Sequence, residues 1–256
     1  MSAKGGQGQS DVTEWKVRGI SAACAVSLRI FHHKWGARYR YLHFDLHAGC
    51  GINEQVGCIG SPLAFLGQAR VDGVNNYGAH FCEIDDGRVR QLLAQPQVSG
   101  DSRVAVHHGD NRFLLPAIPR IIRDYYHENP AVAQGTVLAD PNNHNMPIDE
   151  LAELARECPR LDLIINWPAC AAKRAGRKTA LNDLLSRLGR KHWLIRELVG
   201  PWEFTLLVGR NFYTGDHKTL GFYQLSSLKG QHILATAITT KDDRKGQSGQ
   251  LDAFEN

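Results

Sequence analysis

Tyr41-Leu42-His43-Phe44-Asp45-Leu46-His47-Ala48-Gly49-Cys50-Gly51 is the stretch that decides the fold. It reads as a buried strand that runs into a glycine-rich turn, with Asp45 at the strand's end and Gly49 and Gly51 after it. Glycine reaches positive φ without a Cβ clash and lets backbone approach a ligand closely. A strand followed by such a turn is how a doubly wound α/β sheet opens a nucleotide-type cofactor site.

Downstream, the pattern continues as alternating strands and helices. Residues 52–62 form a second turn-rich stretch, and Ser61-Pro62 reads as N-cap and first turn of a helix over 62–73. Residues 77–84 read as the second strand, carrying Glu83 at its tip, and 86–95 as a helix. Residues 103–108 read as the third strand, closed by Gly109-Asp110-Asn111, and 113–127 as the helix after it. Residues 135–140 give a fourth strand that runs into Asp140-Pro141-Asn142-Asn143, followed by an amphipathic helix over 147–158. Residues 161–167 give a fifth strand, ending at Trp167, and 204–209 and 220–225 the last two. Near-continuous apolar strands are expected where helices cover both faces of a parallel sheet. Upstream, Val17, Ile20, Ala23, Cys24, Ser27, Leu28 and Phe31 recur at helical spacing and predict a packing helix over 13–37.

Five β-then-α alternations followed by a terminal strand pair predict an α/β, Rossmann-like, doubly wound and mostly parallel seven-stranded sheet with a late antiparallel hairpin. The expected organisation is a flexible tail over 1–12, one domain over 13–240 with a basic helical segment near 171–191, and a disordered tail over 241–256.

At 256 residues, 43% hydrophobic and 22% charged, the chain can bury a full core without disulfides or a structural metal. Its six cysteines form no Cys-x-x-Cys pair and its twelve histidines lack zinc-ligand spacing, so no metal site is expected and the compartment reads as reducing and cytoplasmic. No signal peptide opens the chain and no run is long enough to span a bilayer. A net charge of +4 permits a polyanionic partner without requiring one.

Four features fall at the carboxyl ends of successive strands, where open α/β sheets bind ligands. They are the glycine turn, the acid Glu83, the Asp110-Asn111 pair and Asp140-Pro141-Asn142-Asn143. Together they resemble the class I S-adenosylmethionine-dependent methyltransferases. Asp45-Leu46-His47-Ala48-Gly49-Cys50-Gly51 is similar to the Asp-Leu-Phe-Ala-Gly-x-Gly form of their first motif, with His47 in place of the usual Phe. The resemblance implies that Gly49 and Gly51 lie against the methionine part of the cofactor, with Asp45, His47 and Ala48 also in the cofactor site. It also implies that Glu83 and Ile84 hold the ribose, and that Asp110 and Asn111 meet the adenine. Asp140-Pro141-Asn142-Asn143 is similar to the Asp-Pro-Pro-Tyr signature of amino-methyltransferases acting on adenine or cytosine, but has two asparagines where the second proline and the aromatic belong. Over about residues 40–210 the pattern looks like the three-Cys-motif partner (TcmP-like) group of methyltransferase-like proteins.

The implied activity is methyl transfer from S-adenosylmethionine to an exocyclic amine of a nucleic-acid base, DNA favoured. In it Asp140, Pro141, Asn142 and Asn143 are catalytic, and Trp167, Lys173, Arg174 and Arg177 contact substrate. Two features favour a nucleic acid: the basic run from Lys173 to Lys191, and Gln250, Leu251 and Phe254 near the C-terminus, which resemble a sliding-clamp-docking peptide. The competing readings are a cofactor-binding partner subunit of a protein complex, and a methyltransferase of a protein or small molecule.

Overall fold

The structure is a computed structural model, and it describes residues 11–35, 39–53, 57–126, 132–141, 146–174, 180–199, 203–212 and 217–239. Asn142, Asn143, Arg177 and the clamp-like residues Gln250, Leu251 and Phe254 lie outside that set, as does the side chain of Arg174.

The chain opens with α1 (Asp11–Trp35), then β1 (Tyr41–Asp45), a short ribbon of β2 (Ile52–Asn53) and β3 (Cys58–Ile59), and α2 (Ser61–Val71). Next come β4 (Tyr77–Glu83), α3 (Asp86–Leu93), α4 (Pro96–Ser99), β5 (Val104–His108), α5 (Asn111–Tyr126) and β6 (Gln134–Ala139). The chain continues with α6 (Ile148–Glu157), β7 (Leu161–Pro168), α7 (Ala169–Arg174), α8 (Ala180–Leu188), β8 (His192–Arg196), β9 (Phe204–Arg210), β10 (Phe222–Gln224) and α9 (Leu228–Ile238).

The main sheet has the order β10-β8-β9-β7-β6-β1-β4-β5. Strands β5, β4, β1, β6 and β7 run parallel, while β9, β8 and β10 are added antiparallel. After β1 the chain builds outward through β4 and β5, then returns to place β6 on β1's other side. This reversal leaves a crevice at the carboxyl ends of β1 and β6, where a doubly wound sheet binds its ligand.

The sheet has eight strands, one more than the sequence pattern predicts, and its last strands pair differently. β9 and β10 do not form a hairpin with each other; both pair with β8. β8 escapes sequence reading because its buried core is only Trp193-Leu194-Ile195, flanked by His192 and Arg196 and directly following Arg190 and Lys191.

Two hydrophobic layers flank the sheet. On one face, Ile20, Ala23, Cys24, Leu28 and Phe31 of α1 pack with Leu63, Phe65 and Leu66 of α2 against Leu138, Ile164, Leu206 and Val208. On the other, Leu114, Leu115 and Ile118 of α5 join residues of α6, α8 and α9 against Leu42, Phe44, Val137 and Leu163. Covered on both sides, β1, β4 and β6 are buried along their whole length, which explains why apolar residues occupy both of their faces. Among the described residues no helix is long and apolar enough to cross a membrane.

α1 lies across this sheet and carries polar groups on its apolar face. Ser27 donates a hydrogen bond to Asp162 Oδ2 at 2.9 Å, and Asp162 also pairs with Arg210. Lys16 belongs to the same stripe, one turn before Ile20.

Candidate active site

The turn after β1 is held by the acids around it. Gly49 and Gly51 take φ of +68° and +83°, the left-handed region that favours glycine. Gly49 N–H donates to Glu83 Oε2 at 2.9 Å, and Asp85 N–H donates to Glu83 Oε1 at 2.9 Å. Glu83 thus ties the tip of β4 to the turn. A carboxylate has about four lone-pair positions, so two backbone donors leave room for two hydroxyls.

Asp45 is fully buried at the base of the turn. Its Oδ1 accepts from His47 N–H at 3.0 Å and its Oδ2 from Ser61 Oγ at 2.5 Å. Ser61 therefore serves Asp45 and not the helix end: the N-cap of α2 is Gly60, and Pro62 occupies the first turn as predicted. Burial pushes the Asp45 carboxyl up to about 7, with help from the charges of Asp140 and Glu83 and against the pull of its two donors.

His47 joins three strand ends. Its Nδ1 accepts the backbone N–H of Asp140 at 3.1 Å, so in the neutral ring the proton sits on Nε2. The Asn111 carboxamide lies 2.8 Å from Nε2, an arrangement satisfied when the amide oxygen faces the ring. Burial holds His47 below the usual imidazole value, outweighing the nearby acids. The histidine found where the first motif usually has Phe is thus a hydrogen-bonding bridge, a role phenylalanine cannot fill.

Asp110 lies at the start of α5, where its Oδ1 accepts from Arg112 N–H at 2.9 Å as a helix-capping group. Beside it the surface is apolar and open: Ile84 is 65% exposed and Phe113 82% exposed. Phe113 is absent from the residues the sequence singles out, although a lone aromatic two positions past Asn111 was the available signal.

The β6 side of the crevice centres on Asp140, directly after β6. Its Oδ2 forms an ion pair with Lys16 Nζ at 2.7 Å. Its Oδ1 accepts from Asn166 Nδ2 at 2.8 Å. Burial works to raise the Asp140 carboxyl, but the charge and hydrogen bond of Lys16, with Asn166, hold it below its ordinary value. Asn166 is itself buried, and its Oδ1 has no hydrogen-bond partner among the described residues. Leaving such an atom unpaired costs about 1–3 kcal/mol, so it marks a position where a donor is expected. Neither Lys16 nor Asn166 is among the residues the sequence singles out for the site.

The predicted substrate contacts divide. Trp167 is buried within the core cluster, so its ring is part of the packing and is not presented to a base. Lys173 is only 8% exposed, and its ammonium is engaged by Glu203 Oε2 at 2.5 Å and Thr236 O at 2.8 Å. Within the basic run, Arg187 pairs with Asp149, and Arg190 is buried, donating to the carbonyls of Ala155 and Leu161. Much of this run is therefore structural. Pro141 is buried beside Asp140, and Ala48 lies buried in the turn.

No family model and no curated protein matches the sequence. Its structure is similar to that of protein LPL1258 from Legionella pneumophila, with a TM-score of 0.57 and 13% identity over 87% of this chain and 91% of that one. It is also similar to human methyltransferase-like protein 13, solved in complex with SAH, with a TM-score of 0.50 and 12% identity over 88% of this chain and 90% of that one. At these identities the likeness shows the fold. The chain has a Rossmann-like α/β fold with a mostly parallel sheet, similar to that of methyltransferase-like protein 13.

Proposed function

We propose that the protein is an S-adenosylmethionine-dependent methyltransferase acting on an exocyclic amine of a nucleic-acid base, with DNA favoured. The observation that carries the reading is the convergence of the glycine turn, Glu83, Asp110 and Asp140 at the carboxyl ends of four adjacent strands.

The residues present fit the cofactor. A Cβ built on Gly49 would meet nothing within 4 Å, so the turn borders open space. Glu83 has acceptor capacity for ribose hydroxyls, and Ile84 and Phe113 offer an exposed apolar surface beside Asp110 for a planar base. When bound, S-adenosylmethionine supplies the methyl group and the sulfonium leaving group. Asp45 fixes the turn through His47 N–H and Ser61. Asp140, kept ionised beside Lys16, accepts a hydrogen bond from the target amine and raises electron density on its nitrogen. Orientation contributes most of the rate in such a reaction, because the amine lone pair needs only alignment with the transferred carbon.

The nucleic-acid part of the reading rests on the Asp140-Pro141 motif, with Arg174, Arg177 and Lys178 as phosphate contacts. Calorimetry with S-adenosylmethionine tests the cofactor: the wild type binds, and the Glu83→Ala, Asp110→Ala double variant does not. Transfer of tritium from labelled cofactor to DNA, RNA and protein fractions tests the acceptor. Label in DNA that is lost in Asp140→Ala supports the reading, and label confined to protein overturns its substrate half.

A further inference from the structure

The strand ends contribute one part of the acceptor site, and α1 contributes another. Lys16 is carried on the apolar stripe of α1, one turn ahead of Ile20, where a charged residue gains nothing from packing. Its ammonium reaches Asp140 Oδ2 at 2.7 Å, while Asn166 holds Asp140 Oδ1 at 2.8 Å from the opposite side. The Asp140 backbone is fixed in turn by His47. All three partners come from different elements, and each constrains a different atom of the same residue.

We propose that Lys16 is a positioning residue of the acceptor site: it fixes Asp140 as an oriented carboxylate, and Asn166 Oδ1 supplies a second acceptor for the same amine. The inference rests on the methyltransferase reading and deepens it by naming the groups that hold the acceptor amine. Asp140 and Asn166 Oδ1 together match a group with two N–H donors, an unsubstituted –NH2, better than a hydroxyl, which has one proton to give. It also makes α1 a part of the site and not only a packing helix.

The charged and titratable groups around Asp140 are Lys16 from α1, His47 and Asp45 from β1 and its turn, Glu83 at the tip of β4 and Asp110 before α5. Lys16 is the cation of this group, because His47 is held neutral by burial and by the backbone donor on its Nδ1. Without Lys16 a buried carboxylate among acids favours its protonated form. A protonated Asp140 loses acceptor strength toward an amine.

The test is the pH dependence of tritium transfer to DNA by wild type, Lys16→Met, Lys16→Arg and Asn166→Leu. Lys16→Met is expected to move the acidic limb of kcat upward by at least one pH unit and to lower kcat at least tenfold near neutrality, with KM for S-adenosylmethionine unchanged. Lys16→Arg restores most of both, and Asn166→Leu lowers kcat without moving the limb as far. An unmoved acidic limb in a folded Lys16→Met protein overturns the proposal, as does a loss confined to cofactor KM. Carboxyl-carbon NMR of aspartate-labelled protein, assigned with Asp140→Asn, reads Asp140 without any substrate. Titration of Asp140 at the same pH in wild type and Lys16→Met overturns the positioning role. If that titration moves while no fraction accepts label, the methyltransferase reading fails and the Lys16–Asp140 link stands.

Discussion

Two buried aspartates end adjacent strands, Asp45 on β1 and Asp140 just past β6, and their surroundings drive them in opposite directions. Asp45 meets only neutral donors, a serine hydroxyl and a backbone N–H, so burial dominates and its carboxyl rises to about 7. Asp140 meets an ammonium, and its carboxyl is held down although it too is buried. The difference shows what each side of the crevice is built for. The β1 side is a hydrogen-bonded frame that shapes a turn, whereas the β6 side keeps a charge where a donor group can meet it.

The largest disturbance should come from where the two sides touch. Gly135 of β6 pairs with Leu42 of β1, and an added Cβ would run into the Leu42 carbonyl. Gly135→Ala is expected to part the two strands and destabilise the fold by more than about 3 kcal/mol in denaturant melts, abolishing cofactor binding and methyl transfer together. Loss of only one activity would show the two sides to be separable.

His47 is the bridge between them. His47→Phe restores the residue more usual in the first motif, yet it strips the Asp140 N–H of its acceptor and leaves the Asn111 carboxamide without a ring partner. A loss of about 2 kcal/mol in stability is expected, because a buried donor is left unpaired. A neutral or stabilising outcome would show that the bridge carries no energy.

The two aspartates should also separate by pH. Asp45 has a folded value of about 7, above its ordinary 3.8, so the folded state binds its proton more tightly. Its contribution is therefore full below pH 4 and is lost as pH rises through about 7. Asp140 is shifted downward, so its contribution is present above pH 4 and is lost as pH falls further. Melts across pH 3–8 should show that Asp45→Asn removes a slope of at most about 1.4 kcal/mol per pH unit between pH 4 and 7. Asp140→Asn should act only at the acidic end. Similar difference curves for the two variants would remove the contrast drawn here. The smallest effect is expected from Arg187→Ala, which breaks a partly exposed pair with Asp149 away from both sides and should change stability by less than about 1 kcal/mol.

The β1 side was legible in the sequence because it is local. Each of its groups follows its own strand within a few residues, and strand, turn and acid are read together. The β6 side was legible as chemistry only at Asp140; Asn166 stood out only as part of the family resemblance. Its other members come from α1 and β7, and their signals were polar residues in apolar patterns: Lys16 on the stripe of Ile20 and Cys24, and Asn166 inside Leu163-Ile164-Ile165-Asn166-Trp167. Such residues look like imperfections until the topology brings them together. The basic run misled in the opposite sense, since spacing could not show that Lys173 and Arg190 turn inward to a carboxylate and to backbone carbonyls. β8 was missed because three apolar residues between charged ends do not announce a strand.

α1 has a consequence for the order in which the molecule takes shape. It precedes the whole sheet in the chain, and two of its polar anchors lie far downstream: Ser27 bonds to Asp162, 135 residues on, and the Trp15 carbonyl to Arg196, 181 residues on. Contacts of such separation close slowly, since loop entropy must be overcome before they form. The bonds of α1 to β7 and β8 are therefore expected to close later than its nearer bond from Arg29 to Asp72, 43 residues on. A chain grown only past α2 already carries Lys16 and the glycine turn but not yet Asp140, so the lysine waits for its partner.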